Sequence, residues 1–490
     1  MTVTAPTDQL DPPPGTLTQT RVGGPRRAVP VALALTAASL PMFMSTLDNL
    51  VMTSALPVIQ ADLGATIEQL QWMVNAYTLT FATLMLTAAT LGDRWGRRRV
   101  FLGGIALFTL ASIGSALATS AGALIFARAV QGVGGAAIMP LSLTLLAAAV
   151  PASRRAMAIG VWGGVSGLGV ALGPVIGGAV VDGFSWQAIF WLNVPVALIA
   201  IPLVLRALPE SRGRRQPLDV IGLTLVGFGV LAGVWAIVRA NGLGWGSVPV
   251  VAALVGSAAL ITAFIAFEGR TAHPLIPLRL FRSRSFSVAN VTSFAFSLGM
   301  FGAVFLLAQY LQIVDGYSPL EAGIRTLPWT AAPMFVAPIA GLLAPRVGVR
   351  VLLATGLTLQ AIGLAWLALT VGASTPYVEL VPGFVLAGVG MGLTFAPSAT
   401  AVLADMAPDD HATASSTNAT IREIGVALGV AVLVAVFQAG GGTLTPTGYD
   451  EGLRTAILAG AAVLAVGAIA TAWLPRNTGR AAPMEPATQV

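Results

Sequence analysis

The sequence predicts an all-α integral membrane protein of fourteen transmembrane helices, arranged as two six-helix halves with inverted repeats and two helices inserted between them. Three observations predict it. Hydrophobic residues make up 56% of the 490 and charged residues only 9%, with a mean hydropathy of +0.83, a composition that makes lipid the main solvent. Apolar runs of about twenty residues recur along the chain, each long enough to cross a hydrocarbon core of about 30 Å as a helix. Arginine crowds into alternate loops between these runs, as the positive-inside rule requires of a multi-pass protein. Barrel strands would be about ten residues long and alternate in polarity, whereas these runs are apolar on every face and rich in Ala, Leu, Val and Gly.

Residues 1–27, with Asp11-Pro12-Pro13-Pro14-Gly15 and many Thr, lack an apolar run and read as a disordered cytoplasmic tail. The first span begins near Val31 and continues to about Thr53, too long for a signal-peptide core and without a small-residue cleavage site, so it stays in the membrane. Further spans lie at roughly 69–91, 100–119, 122–149, 156–181, 186–205, 218–238, 248–267, 286–313, 320–344, 351–371, 377–404, 412–438 and 453–474. Residues 28–205 then form the N-terminal half, 206–268 the inserted pair with a flanking loop, 269–474 the C-terminal half, and 475–490 a second cytoplasmic tail.

The basic loops hold Arg21, Arg26 and Arg27; Arg94 with Arg97 to Arg99; Arg154 and Arg155; Arg206, Arg212, Arg214 and Arg215; Arg270, Arg279, Arg282 and Arg284; Arg346 and Arg350; and Arg476 and Arg480. That side is cytoplasmic, and both termini lie on it. The opposite loops carry acids such as Asp62, Glu68, Asp182, Asp315, Glu321 and Glu379. The net charge of +6 is therefore a topology signal, and no nucleic-acid partner is expected. The chain has no Cys, which excludes disulfides, zinc thiolates and iron–sulfur ligation, and no Lys, which excludes a Walker-type phosphate loop.

Leu91-Gly92-Asp93-Arg94-Trp95-Gly96-Arg97-Arg98, after the second span, is echoed by Leu343-Ala344-Pro345-Arg346-Val347-Gly348-Val349-Arg350 after the tenth, which is the repeat that divides the chain. Asp93 is placed to cap a helix N-terminus and the Arg side chains to pair with facing acids; any basic cytoplasmic loop would also satisfy topology. This turn resembles the signature of the major facilitator superfamily, Gly-x-Leu-x-Asp-Arg-x-Gly-Arg-Arg, with Ala89 where the first Gly belongs. The resemblance implies a cytoplasmic latch of Gly92, Asp93, Arg94, Gly96, Arg97 and Arg98 that joins the two halves during an alternating cycle. The second copy, with Pro345 in the acid's place, would latch more weakly.

Leu124-x-x-x-Arg128-x-x-Gln131-Gly132-x-Gly134 puts a guanidinium inside the fourth span, where it needs a polar cavity or a partner unless it snorkels to the surface about 12 Å away. Asp48 is its natural partner, since it lies about 13 Å inside the first span by its distance from Pro57. The two would form a protonation-switched pair or a static ion pair. Both segments resemble superfamily motifs: the fourth-helix Arg takes part in proton coupling, and Leu47-Asp48 with Ala55-Leu56-Pro57 is similar to the drug:proton antiporter-2 family of fourteen-span exporters, although Leu50 and Thr53 depart from its usual Thr and Asn.

In the fifth span Gly169-x-x-x-Gly173-Pro174-x-x-Gly177-Gly178 exposes backbone for close helix contact and inserts a kink. It resembles the superfamily motif typical of antiporters and generally missing from symporters, which implies export. The thirteenth span carries Asn418, Arg422 and Glu423, with Arg422 about 15 Å inside the membrane. Glu423 is either a second proton or cation site or half of an interhelical tie. Gln71, Trp72, Asn75, Tyr77, Gln131, Phe305, Gln309, Tyr310, Gln312 and Asn418 are candidates for lining a substrate cavity, against the alternative of packing or an interfacial belt.

The expected function is a proton-coupled antiporter exporting small, largely apolar or lipophilic cationic molecules from a bacterial plasma membrane. It would act as a monomer, with the bilayer and a small-molecule substrate as partners, protons as the coupling ion and no cofactor. Proton symport or lipid and metabolite transport on the same fold is the alternative. A membrane-embedded lipid-modifying enzyme is more remote, because His273 and His411 sit toward cytoplasmic loops and the embedded acids do not cluster like a catalytic pair.

Overall fold

A computed structural model describes residues 30–213, 217–372, 375–407 and 410–476. The 1–27 tail, most of 475–490, and Arg21, Arg26, Arg27, Arg214, Arg215 and Arg480 lie outside the described residues. In chain order the helices are α1 Val31–Leu63, α2 Ile67–Trp95, α3 Arg97–Ala116, α4 Ala121–Ala149, α5 Ala152–Gly183, α6 Ala188–Trp191, α7 Asn193–Ala207, α8 Val220–Leu243 and α9 Val248–Glu268. A 3₁₀ turn at Leu278–Arg282 leads to α10 Arg284–Ile313, α11 Pro319–Arg325, α12 Leu327–Thr330, α13 Ala332–Val347, α14 Val349–Thr370, α15 Tyr377–Leu403, α16 His411–Ala439 and α17 Tyr449–Ala470. Among these residues 14 helical stretches are long and apolar enough to span a bilayer.

Three boundaries differ from the hydropathy reading. The first helix continues past Thr53 through Pro57 to Leu63, ending where Gly64 takes φ 60°; the backbone outruns the apolar run because helix geometry persists beyond the hydrocarbon. The sixth span is broken at Leu192 into α6 and α7, and the tenth is divided into α11, α12 and α13. The tenth divides where Pro319, Pro328 and Pro333 each withhold an amide from the helix ladder.

In the first half α1 packs on α5 and α4 on both α2 and α3; in the second α10 packs on α16 and α17, and α14 on α15 and α17. Glycines make these approaches close, as small residues must where lipid offers no hydrophobic drive to associate. A Cβ on Gly104 of α3 would sit 2.7 Å from that of Ala137 on α4, and one on Gly363 of α14 would sit 2.7 Å from the Ala387 amide nitrogen on α15. The repeated turns share one device: Gly96 at φ 113° and Gly348 at φ 94° each join two helices without a loop. That left-handed conformation is open mainly to glycine.

The inserted pair packs together, with α8 also lying against α2 of one half and α16 of the other. Leu79, Val234, Val238, Ala427 and Ala431 form the apolar seam of that junction. The outer helix α9 buries only Val250, Phe264 and Glu268. At the end of the pair Asp219 accepts the Gly222 amide at 2.7 Å, and Glu268 accepts the Ile276 amide at 3.1 Å. Large apolar side chains also face outward, among them Phe126 at 72% and Leu198 at 68% exposure, the surface that hydrocarbon rather than water satisfies.

Candidate functional site

Arg128 of α4 and Asp48 of α1 meet inside the first half, with side chains 0% and 2% exposed and Nη1 donating to Oδ2 at 2.5 Å. Arg128 Nη1 also donates to Gln131 Oε1 at 2.7 Å, and Gln131 Nε2 returns a bond to Asp48 Oδ1 at 2.8 Å. The same oxygen accepts from Asn193 Nδ2 of α7 at 2.8 Å, and that amide donates to Ser112 Oγ of α3 at 2.8 Å. Arg128 Nε reaches the Met73 carbonyl at 3.2 Å, while its guanidinium carbon lies 4.4 Å from the centre of the Tyr77 ring. The Tyr77 hydroxyl shares a 3.0 Å bond with Ser45. Arg128 Nη2 has no hydrogen-bond partner among the described residues.

The fourth-span motif divides its labour. Arg128 and Gln131 supply the polar heads, and Gly132 and Gly134 let the helix approach its neighbours, since a Cβ on Gly132 would overlap Thr80 and the Tyr77 carbonyl. The polar ligands that Leu50 and Thr53 do not provide come from Gln131 and Asn193; Thr53 bonds back to the Leu50 carbonyl of its own helix. Sequence reasoning missed Asn193 and Ser112. The available signal was an Asn two residues before Pro195 inside an apolar run, where a buried amide demands a partner. Helices α4 and α7 thus donate to one carboxylate on α1, and Ser112 ties in α3 through Asn193.

The glycines of α5 pack it on α1 and close one face of the molecule. A Cβ on Gly169 would lie 3.2 Å from Thr46 Cβ, on Gly173 2.6 Å from Leu50 Cβ, and on Gly177 2.9 Å from Val51 Cα. Gly178 abuts the Pro319 carbonyl, and Gly323 abuts that of Pro174, across the two halves. Ser318 Oγ and the Leu320 amide both donate to Asp182, at 2.7 and 3.0 Å. Gln312 Nε2 donates to the Ser54 carbonyl at 3.0 Å, and Thr330 to that of Ala171 at 3.2 Å. A void of about 20 Å³ remains behind this closure, lined by Thr53, Pro174, Gln312 and Trp329 among others. Toward the face where the described residues begin and end, at 30 and 476, Gly160, Gly163, Gly164 and Gly167 of α5 have no described neighbour that a Cβ would meet within 4 Å. The halves are closed on the far face and parted along α5 on the near one.

In the second half Arg422 sits 5.2 Å from the centre of the Phe395 ring, with Nε unpartnered among the described residues. Neither Arg422 nor Glu423 forms an ion pair among the described residues. Asn418 donates to Asn290 Oδ1 at 3.1 Å and to Ser293 Oγ at 3.0 Å, and Ser293 pairs with Ser398. Both amide atoms of Gln71 and of Asn75, and Gln309 Oε1, are buried without a partner among the described residues; Gln309 Nε2 bonds the Phe305 carbonyl at 2.9 Å. Two of the proposed lining residues are placed elsewhere. Trp72 packs on the apolar seam with α8 and α16, because that face of α2 meets the insert. Tyr310 turns into the second half, donating to the Gly372 carbonyl at 2.9 Å with its ring 6.4 Å from that of Tyr449.

The basic turn makes its contacts within the first half and with the segment that follows α7. Asp93 does not cap α3: still within α2, it accepts from Arg97 Nε at 2.7 Å. Glu210 is the cap, accepting the amides of Arg98 and Arg99 at 3.0 and 3.3 Å. Arg98 Nη1 donates to the Leu205 and Leu208 carbonyls beside the end of α7. Gly96 lies against the Glu210 carboxylate and Gly92 against Leu141, and Arg94 has no hydrogen-bond or ion-pair partner among the described residues. In this conformation no described contact of the turn reaches the second half. The second half has its own clasp, where Arg279 makes two 2.6 Å bonds to Asp410.

Two helical halves pressed together at one face and parted at the other, with an ion pair buried in one of them, define a membrane carrier. The chain belongs to the Major Facilitator Superfamily, whose family model matches residues 38–430 and 291–488. Multidrug resistance protein Stp of Mycobacterium tuberculosis is 37% identical over 411 residues, 83% of this chain and 76% of that one. The methylenomycin A resistance protein of Streptomyces coelicolor is 35% identical over 441 residues, 89% and 90% of the two chains. The multidrug efflux pump LfrA of Mycolicibacterium smegmatis is 35% identical over 429 residues, 87% and 83%. The fold is shared with the crystal structure of a bacterial homolog of the human lysosomal transporter Spinster in an inward-facing, unoccupied conformation, at a TM-score of 0.65, 18% identity, and coverage of 92% of this chain and 99% of that one.

Proposed function

We propose that this protein exports small, largely apolar or lipophilic cationic molecules, such as drugs or antibiotics, in exchange for protons across a bacterial plasma membrane. The observation that carries the reading is the sequestered Asp48–Arg128 pair, with Gln131 and Asn193 on the second carboxylate oxygen. A static pair would be equally well replaced by apolar packing, whereas a carboxylate with three donors from α4 and α7 is a proton site whose occupancy changes what its helix is tied to. Relatives named for drug resistance and export support the cargo class.

With the Arg-rich loops and both termini in the cytoplasm, the closed face is external and this conformation opens inward. Asp48 is then ionised and held by Arg128, and cargo enters between the halves. The amides of Gln71 and Asn75 and the Gln309 Oε1, without partners among the described residues, supply hydrogen bonds to a mainly apolar ligand. After reorientation an external proton neutralises Asp48 and loosens Arg128. Because α1 carries Asp48 and packs on α5 through Gly169, Gly173 and Gly177, that loosening is passed to the α5–α11 closure. Protons are the coupling ion, no cofactor is required, and a single chain contains the whole site.

The test is reconstitution in liposomes with an imposed pH gradient and a panel of fluorescent lipophilic cations. Wild type is expected to move them against the proton flow, and Asp48→Asn to lose gradient-driven transport while still binding cargo. Gradient-driven transport unchanged in Asp48→Asn would overturn the proton role.

A further inference from the structure

A cavity of about 730 Å³ lies in a cleft of the first half formed by α2, α3 and α4. Helices α2 and α3 leave the Gly96 turn and each packs chiefly on α4 rather than on the other, so the groove between them is floored by α4. Its floor is open: Val133 of α4 remains 38% exposed. The wall is apolar from Leu84 and Leu107 to Val133, and the mouth holds Arg94, Arg99 and Arg212. From Arg94 down α2 to Leu84 is about 15 Å at 1.5 Å per residue, half of a hydrocarbon core of about 30 Å. The cleft is as deep as one leaflet, and its charges sit at that leaflet's surface.

The charges at the mouth are not neutralised from within. Asp93 is committed to Arg97, and Glu210 to the amides of Arg98, Arg99 and Ser211. Arg99 approaches Glu210 only to 3.9 Å, with its side chain 72% exposed. Arg94 and Arg212 have neither a hydrogen bond nor an ion pair among the described residues. Arg94, Arg97, Arg98, Arg99 and Arg212 face two carboxylates, leaving three positive charges over an apolar slot. We propose that this cleft is a binding site for an anionic glycerophospholipid of the leaflet on the side of the Gly96 turn, its headgroup phosphate held by Arg94, Arg99 and Arg212 and one acyl chain laid along α4. Bridging the turn and the segment after α7 with a phosphate fastens the end of the half that Glu210 already caps. A zwitterionic lipid meets the same slot without the net charge, and a free phosphate meets the charge without the slot.

The experiment uses the full chain in detergent, with bound lipids counted by native mass spectrometry and thermal unfolding followed on addition of phosphatidylglycerol, phosphatidylcholine of the same acyl chains, or inorganic phosphate. Phosphatidylglycerol alone should be retained and should raise the unfolding temperature. Its retention should fall about tenfold or more in the triple variant R94Q/R99Q/R212Q, since each guanidinium near the surface strengthens binding of anionic lipid severalfold. Val133→Trp, which fills the floor at an exposed position and keeps every charge, should also lose retention, and it decides the matter if the triple variant does not fold. Equal retention of phosphatidylcholine, equal stabilisation by phosphate, or wild-type retention of phosphatidylglycerol in Val133→Trp would overturn the assignment.

Discussion

Asn193 divides its amide between Asp48 and Ser112, which makes the ion pair a property of four helices rather than two. Asn193→Ala leaves one carboxylate oxygen with a single donor and the Ser112 hydroxyl without its Asn193 donor, a loss of about 1–3 kcal/mol for buried polar groups; thermal unfolding in detergent measures it. Arg128→Gln is more damaging, because an unpaired buried carboxylate costs about 3–5 kcal/mol. The double variant D48N/R128Q should recover much of that stability without recovering transport. A double variant no more stable than Arg128→Gln would show that the pair is not coupled as drawn.

Helix α5 behaves as two elements end to end. Its outer part is held by glycine contact with α1 and α11, and its inner part stands clear. Gly177→Val drives a branched side chain into Val51, whose Cα lies 2.9 Å from the position of the first added carbon, and should abolish transport and lower the unfolding temperature. Gly167→Ala meets nothing within 4 Å and should be tolerated, with a gain of up to about 1 kcal/mol from helix propensity. If both substitutions had the same effect, the glycines would be serving local helix structure rather than interhelical approach.

For the whole molecule the turn between α10 and α11 carries a titratable group whose charged and polar neighbours lie in the second half. Burial pushes the Asp315 carboxyl up to about 6, with Asp450 adding to the rise and Tyr310 and Arg325 opposing it. An unfolded chain returns it to about 3.9, so the folded state binds the extra proton. The stabilisation is complete below about pH 4 and is lost as pH rises through about 6. The unfolding temperature in detergent should therefore fall between about pH 4 and pH 7 in wild type and fall less in Asp315→Asn. Identical pH profiles in the two proteins would remove Asp315 as the source.

The sequence by itself determined the spans and the depth of each charged residue. Both follow from quantities that run along one axis: hydropathy per residue, Arg asymmetry between loops, and a rise of 1.5 Å per residue. Asp48 and Arg128 were legible as partners because their depths agree. Direction around the helix axis and the identity of neighbours were not legible, since they depend on how helices lean together. Only the tertiary structure turned Trp72 to the insert and Tyr310 into the second half. It also brought Asn193 to Asp48 through the break at Leu192, and gave the cap of α3 to Glu210, far away in sequence, instead of Asp93. The same packing left Arg94 and Arg212 over an open cleft, because a guanidinium's partner is set by which chain segments converge and not by the loop that carries it.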